Sequence, residues 1–379
     1  MAIPYGRQSI TEEDIIAVAE TLRSDYLTGG PRIAQFEEAF ARYIGVKYAV
    51  AVANGTAALH LCAMSLGVKP GQKVITTPNT FAATANCVLY CGGEIEFADI
   101  DPQTLLLDPN RVEEKLRHSP PGAYRGIIPV DFAGMPVNLE DFRTLADKYG
   151  CWLLEDACHA PGGYFTDRLG SPQFCGNGKF AELAIFSFHP VKHIACGEGG
   201  MITTNDEAHY QRLLRLRTHG ITRERDQMTE DHGGWYYEML ELGYNYRLSD
   251  IHAALGWSQL QRADAGLARR RALASRYDEA FAGTAVETPM PHAGHAYHLY
   301  VVQTPHRKAL YEHLRSKGIY AQIHYIPVHY QPYYQQLGWK KGDFPHTEAY
   351  YERCLSLPLY PTLTDDEQDF VVQCVRDFD

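Results

Sequence analysis

Between residues 48 and 155 the chain alternates short, wholly apolar runs with longer stretches whose apolar residues recur at helical spacing. The pattern predicts strands over 48–53, 73–76, 94–98, 126–130 and 151–155, separated by helices over 56–66, 81–90, 109–117 and 139–148. Two helices are expected ahead of it. One covers 11–24, with Thr11 as cap and Glu12, Glu13 and Asp14 in its first turn, and one covers 33–43 after the Gly29-Gly30-Pro31 break. Strands that are apolar throughout, each followed by a helix, predict an α/β fold with a mostly parallel central sheet covered on both faces.

Further on, an apolar run over 183–186 is broken by Ser187, Phe188, His189 and Pro190, and a short strand over 201–204 follows. A single long helical pattern then runs from 248 to about 281, rich in Ala, Leu, Gln and Arg. For 379 residues one compact core is too small. The division expected is a large domain over 1–248, a linking helix over 249–284 and a small C-terminal α+β domain over 285–379.

In a largely parallel sheet, ligands gather beyond the carboxyl ends of the strands. Four loops should therefore converge, at 54–56, 77–81, 156–159 and 187–192. Asn54-Gly55-Thr56-Ala57 ends a strand and opens a helix, which makes free amides and the Thr56 hydroxyl an anion site, or an ordinary capped turn. Asp156 ends a very apolar strand, where a carboxylate either meets a ligand or caps a helix. Lys192 stands alone in an apolar, glycine-rich stretch with Gly197, Gly199 and Gly200 around Glu198. Burial there would lower its pKa, which an amine needs if it is to attack a carbonyl. An amine, a carboxylate for a ring nitrogen, a phosphate cradle and a flat aromatic, Phe81, together suit pyridoxal phosphate.

Composition removes other classes. The formal net charge is −11 and no basic run occurs, which argues against nucleic acid or an anionic membrane as partner. No apolar run approaches the roughly 20 residues of a membrane span, and the N-terminus has no signal-peptide pattern, so a cytoplasmic location is expected. Nine scattered cysteines without a C-x-x-C pair read as reduced thiols and predict no metal site.

The segments SFHPVKHIACGEGG, EDACHA, NGTAALHL and GYNYRLSDIHAALGWSQL resemble the DegT/StrS-like nucleotide-sugar aminotransferases, a branch of the fold-type-I pyridoxal phosphate enzymes. The likeness runs from Leu27-Thr28-Gly29-Gly30 to Leu357-Pro358. It implies that Lys192 joins the cofactor covalently and moves protons, and that Asp156 faces the pyridine nitrogen. Thr56, the Ala57 backbone and Ser187 would hold the phosphate, Phe81 would stack on the ring, and Asn245 would reach a neighbouring subunit's phosphate, implying a homodimer with shared sites. Where many relatives carry Gln, this chain has His159, which either lies against the ring or is simply packed. The segment QIHYIPVHYQPYYQQLG resembles the branch that aminates a UDP-4-keto-6-deoxy-N-acetylhexosamine with L-glutamate on the route to pseudaminic acid. In it Gln322, His324, Tyr325 and His329 are expected at the substrate, unless the tract is only a strand with one wet face. The alternatives are an aminotransferase for another UDP- or dTDP-linked keto sugar and a non-catalytic regulator on the same scaffold. A dehydratase of this fold, which resembles the family with histidine in the lysine's place, is disfavoured by Lys192.

Overall fold

The computed structural model describes residues 2–378. Its centre is a seven-stranded sheet in the order Tyr48–Val52, Gly200–Thr204, Leu183–Ser187, Trp152–Asp156, Tyr124–Ile128, Lys73–Thr76 and Glu94–Phe97. All strands run parallel except Gly200–Thr204, which is antiparallel to both neighbours. This is the mostly parallel α/β sheet that the strand pattern predicts. Its strands are Val-, Ile- and Leu-rich because helices cover both faces and leave no side for polar residues. On one face Val52, Ala58, Leu61, Leu154 and Ile185 share a core, and on the other Ile75, Ile127, Phe142 and Leu153 share a second.

Helix starts are set locally. The Thr11 amide donates to the Asp14 carboxylate at 3.0 Å where Glu12–Leu22 begins, and the Asn54 carboxamide caps Gly55–Ser65. Two expectations need correction. The pattern expected as one helix from 248 to about 281 is two, Asp250–Leu260 and Ala263–Phe281. Between them Arg262 takes non-helical φ −120°, ψ 17°, while its guanidinium holds the buried Asp14 carboxylate and Ser9 O. The strand expected at 126–130 is Tyr124–Ile128, and the chain leaves the sheet at Pro129 with a single bridge from Val130 to Asp156.

In the C-terminal part, Tyr300–Gln303 pairs antiparallel with Cys354–Leu357, and the helices Arg307–Ser316 and Asp365–Arg376 pack beside that pair. The beginning of the chain joins it, because Ile3–Pro4 pairs parallel with Ile319–Tyr320. Residues 328–347 fold back onto the large sheet's edge. Val328 N–H donates to Pro78 O at 3.0 Å, Tyr334 O–H donates to Asn86 at 2.6 Å, and the Thr347 hydroxyl donates to Asp99 at 2.7 Å. Tyr5 from the beginning of the chain and His298, His324 and Tyr325 from the C-terminal part wall the crevice above the strands. Among the described residues no helix is long and apolar enough to cross a membrane.

Candidate active site

The carboxyl ends of the parallel strands open into a cavity of about 510 Å³. Thr56, Phe81, Asp156, His159, Ser187, Lys192, His324 and Tyr325 all line it, drawn from four loops of the sheet and from the C-terminal part. A cavity of that size suits a ligand the size of a cofactor with part of a substrate.

Asp156 is 5% exposed and ends the Trp152–Asp156 strand. Its Oδ2 accepts the Thr84 hydroxyl at 2.7 Å and its Oδ1 accepts the Cys158 amide at 3.2 Å. Behind it lies a carboxyl pair, Asp131 and Glu155. Ligand atoms of Asp131, Glu155 and Cys175 lie within 4.8 Å of one another, all three residues buried. Asp131 Oδ1 accepts from Val137 N–H and Glu155 Oε2 from Gly176 N–H, both at 2.8 Å. Burial raises the Asp131 carboxyl to about 7 and pushes Glu155 up as well, because two adjacent carboxylates out of water cannot both ionise.

Lys192 projects from the turn after Leu183–Ser187, its amide donating to His189 O at 2.8 Å. Burial pulls its amine from the ordinary lysine range down to about 8, against an opposing pull from Cys158 and Asp156. Among the residues lining the cavity it is the sole lysine or arginine. Gly200 brings the turn against the Asn54 loop, since a Cβ there would fall 2.5 Å from Asn54 O. His159 is buried, and Ala133 N–H donates to its Nδ1 at 3.1 Å. Its proton therefore sits on Nε2, which donates to the Tyr325 oxygen at 3.1 Å. Burial holds this imidazole well below its usual range and so uncharged.

At the start of Gly55–Ser65, the amides of Gly55 and Thr56 meet no acceptor among the described residues, and the Ser187 side chain faces Gly55, where a Cβ would lie 3.1 Å from Ser187 Cβ. Open amides at a helix N-terminus, a hydroxyl and a glycine floor fit a phosphate. With a half-buried amine and a buried, oriented carboxylate at the other end, the donor set fits a phosphorylated pyridine aldehyde.

Four expected residues do not line this cavity, one of them, Asn245, being the residue expected to reach a neighbouring subunit. Ala57 spends its amide on Asn54 Oδ1 at 2.8 Å and does not line the cavity. His329 is wholly buried, bonded through Nε2 to Glu348 at 3.0 Å and packed on Phe344, so it is part of the fold. Its period in the tract is not that of a strand, because 328–330 is a 3₁₀ turn. Gln322 is exposed and lines a neighbouring cavity of about 300 Å³ that shares Tyr5, Thr80, Phe81, His324 and Tyr325 with the first. Asn245 is exposed, bridged to Thr218, and away from this chain's cavity. Pattern reading missed Tyr5, Thr84, Glu198 and His298, which line the cavity. Two of them left a trace, Glu198 in the glycine-rich GEGG and His298 in the histidine-dense GHAYHLY.

Residues 8–376 match the model of the DegT/DnrJ/EryC1/StrS aminotransferase family. Spore coat polysaccharide biosynthesis protein SpsC of Bacillus subtilis is 39% identical over 386 residues, covering 99% of this chain and 96% of that protein. Among solved structures, PseC of Helicobacter pylori, an aminotransferase involved in the biosynthesis of pseudoaminic acid, superposes with TM-score 0.90 at 30% identity, covering 99% of this chain and 98% of the other. NtdA of Bacillus subtilis, solved with bound cofactor PMP, gives TM-score 0.83 at 28% identity over 96% of this chain and 80% of the other.

Proposed function

The chain belongs to the DegT/DnrJ/EryC1/StrS aminotransferase family, and from that premise we propose that it moves the amino group of L-glutamate to C4 of a UDP-4-keto-6-deoxy-N-acetylhexosamine, the β-L-altrosamine precursor of pseudaminic acid. The enzyme is a sugar aminotransferase whose cofactor is pyridoxal phosphate. The observation that carries the reading is the placement of Lys192 and Asp156 on one cavity above the sheet, which the open helix-start amides of Gly55 and Thr56 also line.

When bound, such a cofactor supplies an electron sink for a deprotonated carbon and a carrier for the amino nitrogen. The chain's residues do the rest. Asp156, held by Thr84 and the Cys158 amide, keeps a proton on a ring nitrogen that meets it. Gly55, Thr56 and Ser187 bind the phosphate, and Phe81, 61% exposed at the mouth, offers a flat face. Lys192, freed as an amine, takes the proton from the donor's Cα and returns it during amination of the sugar. His159 presents an uncharged edge to the ring. His324 and Tyr325 border the remaining volume, where the sugar is read.

Exposed apolar side chains, among them Ile15, Ile16, Leu22, Tyr26, Leu27, Met239 and Leu242, support a homodimer in which Asn245 reaches the other subunit's site. The identity with SpsC favours a second reading, a different nucleotide-linked keto sugar destined for a polysaccharide.

The test is the visible absorbance of the purified protein through both half-reactions. L-Glutamate should bleach the band of bound pyridoxal phosphate, and the UDP-4-keto sugar should restore it. Bleaching without return would discard this sugar and leave the second reading. Persistent turnover in Lys192→Ala would remove Lys192 from the chemistry.

A further inference from the structure

His298 meets Lys192 from the loop before the Tyr300–Gln303 strand, and no step above uses it. Its Nε2 lies 3.4 Å from Lys192 Nζ. Its ring packs against His159 with centroids 4.4 Å apart, and its carbonyl accepts from the buried Arg270 guanidinium at 3.3 Å. Its Nδ1 is buried and has no hydrogen-bond partner among the described residues.

The two neutral tautomers are not equivalent here. With the proton on Nδ1, a buried N–H would lack an acceptor, and orphaned donors are the rarer of the two defects in folded proteins. With the proton on Nε2, only a ring lone pair goes unmet and the N–H points at Lys192. A lysine ammonium has three donors and no lone pair, so it cannot accept that hydrogen, whereas a neutral amine can.

We propose that His298 is a positioning residue that holds Lys192 as the free amine, by donating its Nε2–H into the lysine lone pair. The proposal rests on the reading of Lys192 as the aminotransferase lysine and adds how that amine is kept neutral and aimed. The groups facing His298 agree. They are Lys192 and His193 from the turn after Leu183–Ser187, His159 from the loop after Trp152–Asp156, and Arg270 from Ala263–Phe281; His324 approaches Lys192 from across the cavity. None is an acid that could charge the imidazole, and burial holds it uncharged.

The test uses the full-length protein freed of cofactor. Ring ¹⁵N shifts of His298, assigned by their loss in His298→Gln, should show a neutral imidazole protonated on Nε2; protonation on Nδ1 would overturn the proposal. The pH dependence of Lys192 attachment to pyridoxal phosphate, trapped with borohydride and located by mass spectrometry, gives the amine's midpoint. In His298→Phe the ring's shape stays and the donor goes. The midpoint should rise by about one pH unit and attachment at pH 7 should slow about tenfold. A more apolar wall acting alone would lower the midpoint, so an unchanged or lower midpoint overturns the proposal. His298→Gln, with an amide donor of similar reach, should keep the wild-type midpoint. Should His298→Phe not fold, the ¹⁵N shifts of the wild type decide. Turnover surviving in Lys192→Ala would instead fell the underlying reading, whichever way His298 behaves.

Discussion

The Thr84 hydroxyl donates to Asp156 Oδ2 at 2.7 Å, tying the first turn of the Ala82–Tyr90 helix to the end of a strand 72 positions later. Its proton committed to the carboxylate, Thr84 accepts from the Thr80 hydroxyl at 2.8 Å, so a relay of two hydroxyls fixes the direction of Asp156. Thr84→Val keeps the volume and deletes the donor. A hydrogen bond to a charged group contributes about 1.5–3 kcal/mol, so the dissociation constant for pyridoxal phosphate should rise at least tenfold. Titration by fluorescence measures it. An unchanged constant would mean that the Cys158 amide orients the carboxylate alone.

The sheet and the residues at its carboxyl edge were legible because their signals are local. Buried parallel strands write themselves as apolar runs, and Asp156, Ser187 and Lys192 stand at their ends. His329 failed for the opposite reason, and Gln322 came to border only the neighbouring cavity. Alternation in 322–330 looked like a half-wet strand, but the segment makes one bridge, from Gln322 to Ser356, and then turns. Thr84 gave no signal, since a threonine in an Ala-rich helix is chemically mute until a strand 72 residues on meets it. The break at Arg262 was equally hidden. Nothing in the local sequence shows that its guanidinium belongs to Asp14, 248 positions away.

That ion pair yields a stability prediction. Asp14 is 1% exposed, and Arg262 grips both its oxygens while Gln259 Nε2 donates to it at 2.8 Å. Breaking a buried pair from one side strands a charge, at a cost of about 3–5 kcal/mol. Arg262→Met should lower the thermal midpoint strongly, and Asp14→Asn added to it should recover part of the loss. Equal midpoints for the single and double variants would show that water reaches Asp14 once Arg262 is gone.

The Asp131–Glu155 pair makes stability depend on pH in a defined direction. Burial raises the Asp131 carboxyl to about 7 in the fold, above its unfolded value, and raises Glu155 too. Between those values the native state binds more protons than the unfolded one, so stability falls as pH rises from about 4 to 7. The slope is at most about 1.4 kcal/mol per pH unit for each proton involved. Asp131→Asn keeps an acceptor for Val137 N–H and cannot ionise. Urea unfolding at a series of pH values should therefore show the wild type losing stability relative to this variant from pH 5 to pH 7. Parallel curves would mean that the pair is ionised or hydrated in the native state.

His159 and Tyr325 should behave as one unit. Ala133 N–H fixes the imidazole tautomer, and the Tyr325 oxygen is the acceptor for the proton that remains. Tyr325→Phe leaves the ring among Phe81 and Phe132 but strands a buried N–H, a loss of about 1–3 kcal/mol. His159→Leu removes the donor, so the double variant should lose less than the sum of the singles, and unfolding of all four proteins measures that coupling. The same geometry fixes what His159 cannot do. Its Nδ1 already accepts a hydrogen, and burial holds the ring far below its usual range, so it carries no charge at neutral pH. His159→Gln should then change the rate of amino transfer without moving any inflection in its pH profile between 5.5 and 8. An inflection lost in that variant would show a histidine that charges during turnover, and with it a site wetter than this one.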